Sequence, residues 1–429
     1  MPWSDLQGLR ICGLYLRPSY SRGRSKIQLL TLRPGATFWS PQPLSFYMRS
    51  IISGLLVVFS LTASAATVPA RFEAVARQAE AARVQDRVSD AIRLYREGTD
   101  LRPSWADGWW HLGSLLYDQD RFAEATAAFK HLLASTSHRG PAYAFLGLCE
   151  YETGKHDDAL AQFRAWAAAG WAGTPELRDV AVFHFALLLS REGRFVESLY
   201  LLATVTPRLG DVPELSEAMG LASLRMRYLP QDYPSELRER VWLAGKAALY
   251  AAQSPRNFAR ADEFAARLEG RYPEQPEVHY LHGTIYTFQG KTMEAEREYR
   301  AELRISPNPV SSLVALTEID IEKADLAEAD LMARRAVGAD PRNAEAHHLL
   351  GRVFLANGDL DASLSELETA KQLAPDSPGV RSHLAMVYSK LGRAQEAKAE
   401  SAAFLTLKNK EDVMAPARVK LGKMQEKAH

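Results

Sequence analysis

Apolar and small positions recur along this chain every 34 residues. Windows opening at Phe72, Ala106, Gly140, Pro276, Val310, Ala344 and Pro378 place Ala79, Gly113, Gly147, Gly283, Thr317, Gly351 and Ala385 at their eighth position. Their twentieth position holds Ala91, Ala125, Ala159, Ala295, Ala329, Ser363 and Ala397. Larger apolar groups flank these sites, as with Trp109, Leu112, Leu116 and Phe129 in one window, or Tyr143, Leu146 and Phe163 in the next. Position 15 is Gly154, Gly290, Gly358 and Gly392 in four windows and Asp86 and Asp120 in two others. Position 32 is proline at Pro103, Pro307, Pro341 and Pro375. Each window therefore predicts two helices. Small residues mark where they cross closely, a left-handed turn residue ends the first, and proline ends the second. A period in this range means stacked units, each burying its apolar face on the next. The predicted fold is all-α, a solenoid of antiparallel helix pairs.

The pattern is similar to the tetratricopeptide repeat, which runs W-x2-L-G-x2-Y, then A-x3-F, then P. The window from Ala106 carries Trp109, Leu112, Gly113, Ala125 and Phe129 in register, with Leu116 where the pattern has Tyr. The resemblance covers about residues 72–411. It implies a right-handed α-solenoid of about eight or nine units, and a concave groove in which extended peptides or partner helices lie.

The period breaks in the middle. Residues 167–175 read as a loop with extra residues, after which a fourth unit starts near Asp179, with Ala186, Gly193 and Ser198 at the key positions. Between Val212 and Gln275 the register is lost. Gly220 and Gly245 both look like eighth-position residues but lie only 25 apart, and Pro230 and Pro234 between them forbid a continuous helix. A helix is expected to be missing or shortened here, and the stretch is expected to be the loosest part of the array. The predicted division is an array over 66–212, an irregular helical connector with a degenerate repeat over 213–275, a second array over 276–411, and a capping helix or tail over 412–429.

The first 65 residues follow another logic. Met48-Arg49 precedes an apolar run from Ile51 to Leu61 and then Ala63-Ser64-Ala65, the order of a secretory signal peptide. The run is short for a membrane span, and an uncleaved anchor is the alternative. Residues 1–47 are basic and aperiodic, and a start codon assigned too early accounts for them. The expected mature chain begins at Ala66, in the periplasm or at the envelope, with no stable membrane span.

Removing that segment changes the charge. The chain has 52 basic and 52 acidic side chains; residues 1–65 hold seven basic and one acidic, so the remainder carries 45 against 51. A mildly acidic chain offers no basic stripe for nucleic acid. Cys12 falls in the leader and Cys149 stands alone in a helix, where a small buried hydrophobe is the expected role.

A search for chemistry finds no metalloprotease, phosphate-loop or nucleophile-elbow motif. His279 and His282 sit three apart on one helix, a spacing that can serve a metal, and His347 and His348 are adjacent. His279 and His347 occupy position 4 and His282 position 7, where the repeat buries large rings, so packing is expected. No catalytic residue, metal or cofactor is assigned. What remains is binding. Positions 2, 5, 9 and 12 share the face of each first helix that the resemblance places in the groove. In the first half they give an apolar row of Trp110, Tyr117, Leu148, Tyr151, Phe183 and Leu187, a candidate partner-docking strip that neighbouring helices could instead cover in part. In the second half they are more polar, with Tyr280, Thr284, Thr287, Glu318, His348, Arg352 and Ser389. The Lys, Asn and Arg clamp that some members of the resembled family use to hold a terminal carboxylate has Ala76, Glu80 and Trp110 at matching positions, so that function is not expected. The expected function is a non-enzymatic adaptor that binds a peptide or partner helix. A regulatory or substrate-presenting subunit of an envelope enzyme complex is the alternative. Oligomeric state is left open.

Overall fold

The structure, a computed structural model, describes residues 10–11, 14–15, 68–135, 140–253, 255–306 and 308–414. The expected signal peptide lies outside these residues, as do 415–429 of the tail. From the leader, only Arg10–Ile11 and Leu14–Tyr15 are described, paired as a short antiparallel ladder. The chain divides into two compact units, Met1–Thr153 and Gly154–His429.

The first unit carries α1 (Val68–Val84), α2 (Val88–Leu101), α3 (Ala106–Asp118), α4 (Phe122–Ser135) and α5 (Gly140–Glu152). The second carries α6 (His156–Ala168), α7 (Pro175–Glu192), α8 (Phe195–Leu209), α9 (Pro213–Ser223), α10 (Arg238–Ala252), α11 (Phe258–Arg271), α12 (Val278–Phe288), α13 (Thr292–Ile305), α14 (Val310–Glu322), α15 (Leu326–Ala339), α16 (Ala344–Asn357), α17 (Leu360–Leu373), α18 (Pro378–Lys390) and α19 (Ala394–Met414). The described fold is an all-α repeat solenoid. The windows at Ala106, Gly140, Val310, Ala344 and Pro378 open on the first residue of a helix.

The turns and crossings follow from the periodic residues. Every turn residue at position 15 has positive φ: Asp86, Asp120, Gly154, Gly290, Ala324, Gly358 and Gly392. Only glycine takes this conformation freely, and the two aspartates and Ala324 take it at some cost to complete the turn. At the crossings, a Cβ on Gly113 would lie 2.8 Å from the Phe129 ring, one on Gly283 2.7 Å from Tyr299, and one on Gly351 2.7 Å from Leu367. The position-20 alanines 91, 125, 159, 295 and 329 are fully buried beneath these contacts. Where serine replaces alanine there, its hydroxyl reaches the carbonyl of position 8: Ser363 Oγ donates to Gly351 O and Ser198 Oγ to Ala186 O, each at 2.7 Å. A buried hydroxyl with an acceptor costs little, so the position tolerates it.

The middle departs from this plan. A loop over 224–237, with one 3-10 turn at Ser235–Leu237, stands where a second helix would pair with α9. The first helix of the next pair, α10, packs directly on α9 on one side and on α11 on the other. A Cβ on Gly220 would lie 2.0 Å from Val241 O, and one on Gly245 1.8 Å from Ser216 O. The two glycines, both at eighth-position spacing, face each other across a single crossing. The loop between them is held, with Leu229 buried and Tyr233 Oη donating to Glu217. Asp211, just before α9, accepts from Lys246 and from Tyr250 Oη of α10. With no second helix between them, α9 and α10 approach to backbone contact at these two glycines.

Candidate binding faces and a histidine–carboxylate cluster

The predicted docking strip is mostly packing surface. Tyr117 is 7 % exposed, Leu148 1 %, Tyr151 6 %, Phe183 0 % and Leu187 2 %, and only Trp110 is half-buried. In the first unit the cause is visible. Phe145 of α5 sits edge-on to Trp110 at 5.5 Å and to Tyr117 at 5.2 Å, and stacks on Phe129 at 5.3 Å. Aromatic rings on adjacent first helices close on one another, which is worth more than leaving them wet. In the second unit α7 is buried on nearly every face from Leu177 to Ser190, with α8 and α9 against it. An exposed apolar strip is therefore corrected, within each unit separately, to packing surface, with part of Trp110 open in the first.

The matching face of α12, α14, α16 and α18 is open. Tyr280, Thr284 and Arg352 are half-buried, and Thr287, Glu318, Ser389 and Met386 are exposed, with Arg352 Nη1 3.7 Å from Glu318 Oε1. His348 is buried on this face, its Nε2 3.0 Å from His383 Nδ1. Cys149 is buried as expected, and burial pushes its thiol pKa well up, which keeps it protonated and inert.

Position 4 carries a stitch that the sequence did not reveal. Trp109 Nε1 donates to Pro103 O at 2.8 Å, Arg381 Nη2 to Pro375 O at 2.9 Å, and the Nε2 atoms of His279 and His347 meet Pro273 O and Pro341 O at 3.2 and 3.0 Å. In each case the group reaches back six residues to a proline carbonyl that no helix can satisfy. Three of them also meet a glutamate at position 23: Arg381 Nη1 with Glu400 at 2.9 Å, His279 Nδ1 with Glu298 at 2.7 Å and His347 Nδ1 with Glu366 at 2.6 Å. The recurring spacing of proline, histidine and glutamate was the available signal. It crosses window boundaries, so a position-by-position reading passes over it.

Around His279 the stitch gains two groups. Glu269 of α11 places Oε1 3.9 Å from His279 Nδ1, and its other oxygen accepts from His282 Nδ1 at 2.9 Å. Arg297 donates to Glu298 Oε1 at 3.0 Å. The Glu298 hydrogen bond raises the His279 pKa above its ordinary value, and desolvation of the half-buried ring opposes it.

Turns, small crossings and proline stops together define an α-helical repeat protein. The profile of the tetratricopeptide repeat family matches residues 76–140, 112–174 and 316–378 of these helix pairs. Over 122 residues the chain is 34% identical to Cellulose synthase 2 operon protein C of Komagataeibacter xylinus, covering 28% of this chain and 9% of that protein. Over 140 residues it is 29% identical to Tetratricopeptide repeat protein 7B of Homo sapiens, covering 33% of this chain and 16% of that one. The chain thus spans only a small part of the length of either relative. Among solved structures, MamA from Desulfovibrio magneticus aligns with 39% of this chain and 97% of its own, at 20% identity and a TM-score of 0.33. No helix among the described residues is long and apolar enough to cross a membrane.

Proposed function

We propose that this chain is a non-enzymatic protein-binding scaffold, exported with Met48–Ala65 as its cleaved signal, that holds an extended segment of a partner along the first-helix face of α12, α14, α16 and α18. One observation carries the choice of face. Equivalent positions are sealed in the first half and open in the second, where they offer an aromatic ring, hydroxyls and an opposed Glu318 and Arg352. Tyr280 is the aromatic anchor of such a site, and aromatic or arginine anchors carry most of the energy of protein interfaces. Repeats of this kind share a scaffold and differ in the groove, so the partner is set by these side chains. Export rests on the basic, apolar and A-x-A series of residues 48–65.

The test is recovery of a stoichiometric partner with the mature chain from its own envelope fraction. Tyr280→Ala and Arg352→Ala should each weaken that complex by roughly 30-fold, corresponding to about 2 kcal/mol, with melting nearly unchanged. Trp110→Ala should cost stability and leave affinity alone. The opposite pattern would move the site to the first half. A second reading, a subunit of an envelope enzyme assembly, is supported by the match to a cellulose synthase operon protein. Under that reading an enzymatic activity carried by another chain co-purifies.

A further inference from the structure

We propose that His279, Glu298 and Glu269 form a binding site for a divalent transition-metal ion of the zinc class, at the junction of α11, α12 and α13, with His282 as an outer partner. One nitrogen and two carboxylate oxygens are a donor set suited to zinc. The three ligand atoms lie within 4.8 Å of one another. His279 Nδ1 is 2.7 Å from Glu298 Oε2 and 3.9 Å from Glu269 Oε1. Bonds of about 2.0–2.2 Å in tetrahedral geometry put ligand atoms roughly 3.3–3.5 Å apart. The His279–Glu298 contact must open by roughly 0.7 Å, the His279–Glu269 contact close by about half an ångström, and the two carboxylate oxygens, within 4.8 Å of each other, come to the same spacing by side-chain rotation.

Each ligand is already oriented by an outer partner, as metal ligands are. Pro273 O faces His279 Nε2 at 3.2 Å; a proton held there leaves the Nδ1 lone pair aimed at the two carboxylates. His282 Nδ1 holds the second oxygen of Glu269 at 2.9 Å and Arg297 holds that of Glu298 at 3.0 Å. His282 is 4 % exposed and its Nε2 has no hydrogen-bond partner. Burying such a ring is costly unless it serves something. The Glu269 side chain is 32% exposed, which gives an ion a path from solvent.

The repeat supplies its own control. Two units on, His347, Glu366 and Pro341 reproduce the stitch at nearly the same distances, but Val337 stands where Glu269 does and Leu350 where His282 does. Holding helices together therefore requires neither Glu269 nor His282, and their addition turns a two-group lock into a four-group cluster. Binding would exchange the proton between His279 Nδ1 and Glu298 for the cation, releasing that proton to solvent.

The full chain should be titrated with zinc chloride by calorimetry, and with cobalt chloride by visible absorption. One saturable site and cobalt ligand-field bands are expected. Glu269→Gln, Glu269→Val and His282→Leu, the last two copying the unit at His347, should each weaken binding at least tenfold. Glu366→Gln should leave it unchanged. Circular dichroism and melting without metal check that each variant folds, and Glu269→Gln covers the case in which Glu269→Val does not. No saturable site in the parent chain, or equal binding by the folded Glu269 and His282 variants, would overturn the assignment.

Discussion

The regular helix crossings and the single irregular one use glycine against different surfaces. At Gly113, Gly283 and Gly351 the missing Cβ makes room for a side chain, that of Phe129, Tyr299 or Leu367. At Gly220 and Gly245 it makes room for the backbone of the opposing helix. A side chain yields by rotating, whereas a helix backbone can only move away as a body. The stretch most degenerate in period thus holds a closer backbone approach than the crossings at Gly113, Gly283 and Gly351. Loss of period there is not loss of packing.

The largest expected effect breaks this comparison directly. Gly245→Ala puts a methyl about 1.8 Å from Ser216 O, and α9 and α10 must separate along their crossing. The cost should be at least about 3 kcal/mol, at or beyond the upper end of overpacking, even after alanine's gain of about 1 kcal/mol in helix propensity. Gly351→Ala, where Leu367 can turn aside, should cost about 1–2 kcal/mol less. Denaturant unfolding of the two variants checks the difference. Similar losses would mean that backbone and side-chain crossings are equally adaptable.

The helices, turns and crossings were legible because each follows from residues within one 34-residue window. Position 15 is the clearest example, since even Ala324, which the pattern did not mark, takes the left-handed turn set by its neighbours. The groove was not legible, because face and exposure are separate properties. Phe183 and Leu187 lie on the face that spacing assigns, yet whether that face is open depends on how closely the next first helix approaches. The contact of Phe145 with Trp110 and Tyr117 involves another window. The Glu269–His279–Glu298 cluster was hidden for the same reason, drawing its ligands from three helices.

A reversible perturbation sharpens the comparison from the side of α7, which packs against α9. His184 of α7 is fully buried, with Nδ1 donating to Val180 O at 2.8 Å, and burial pushes its pKa down to about 4 from an ordinary 6.5. The folded state thus binds this proton less readily than the unfolded state. The stability linked to His184 is complete above about pH 6.5 and is lost as pH falls toward 4, by on the order of 3 kcal/mol. His184→Leu should remove that part of the acid dependence. Local unfolding followed by hydrogen exchange between pH 7 and 5 should loosen α7 and α9 before α16 and α17. Equal loosening of both pairs would show that the array responds as one cooperative body.

The smallest effect separates the two regions at their helix starts. In the regular part, Asp325, Asn343 and Asp359 cap α15, α16 and α17 by accepting from the backbone N–H of Glu328, Ala346 and Ala362 at 3.0–3.2 Å. Val212, ahead of α9, has no side-chain acceptor to give, and α9 opens on Pro213, which has no N–H to satisfy. These three helices draw on local capping where α9 draws on its crossing with α10. Asp359→Ala should therefore cost about 1 kcal/mol, the usual worth of such a cap. Because each repeat touches mainly its neighbours, the loss should be confined to the first turns of α17 and the helices against it. Hydrogen exchange at Ala362 and Ser363 should rise several-fold while Gly220 and Gly245 keep their protection. A rise at those glycines as well would mean that the tight crossing is held by the regular array beyond it, not by its own backbone contact.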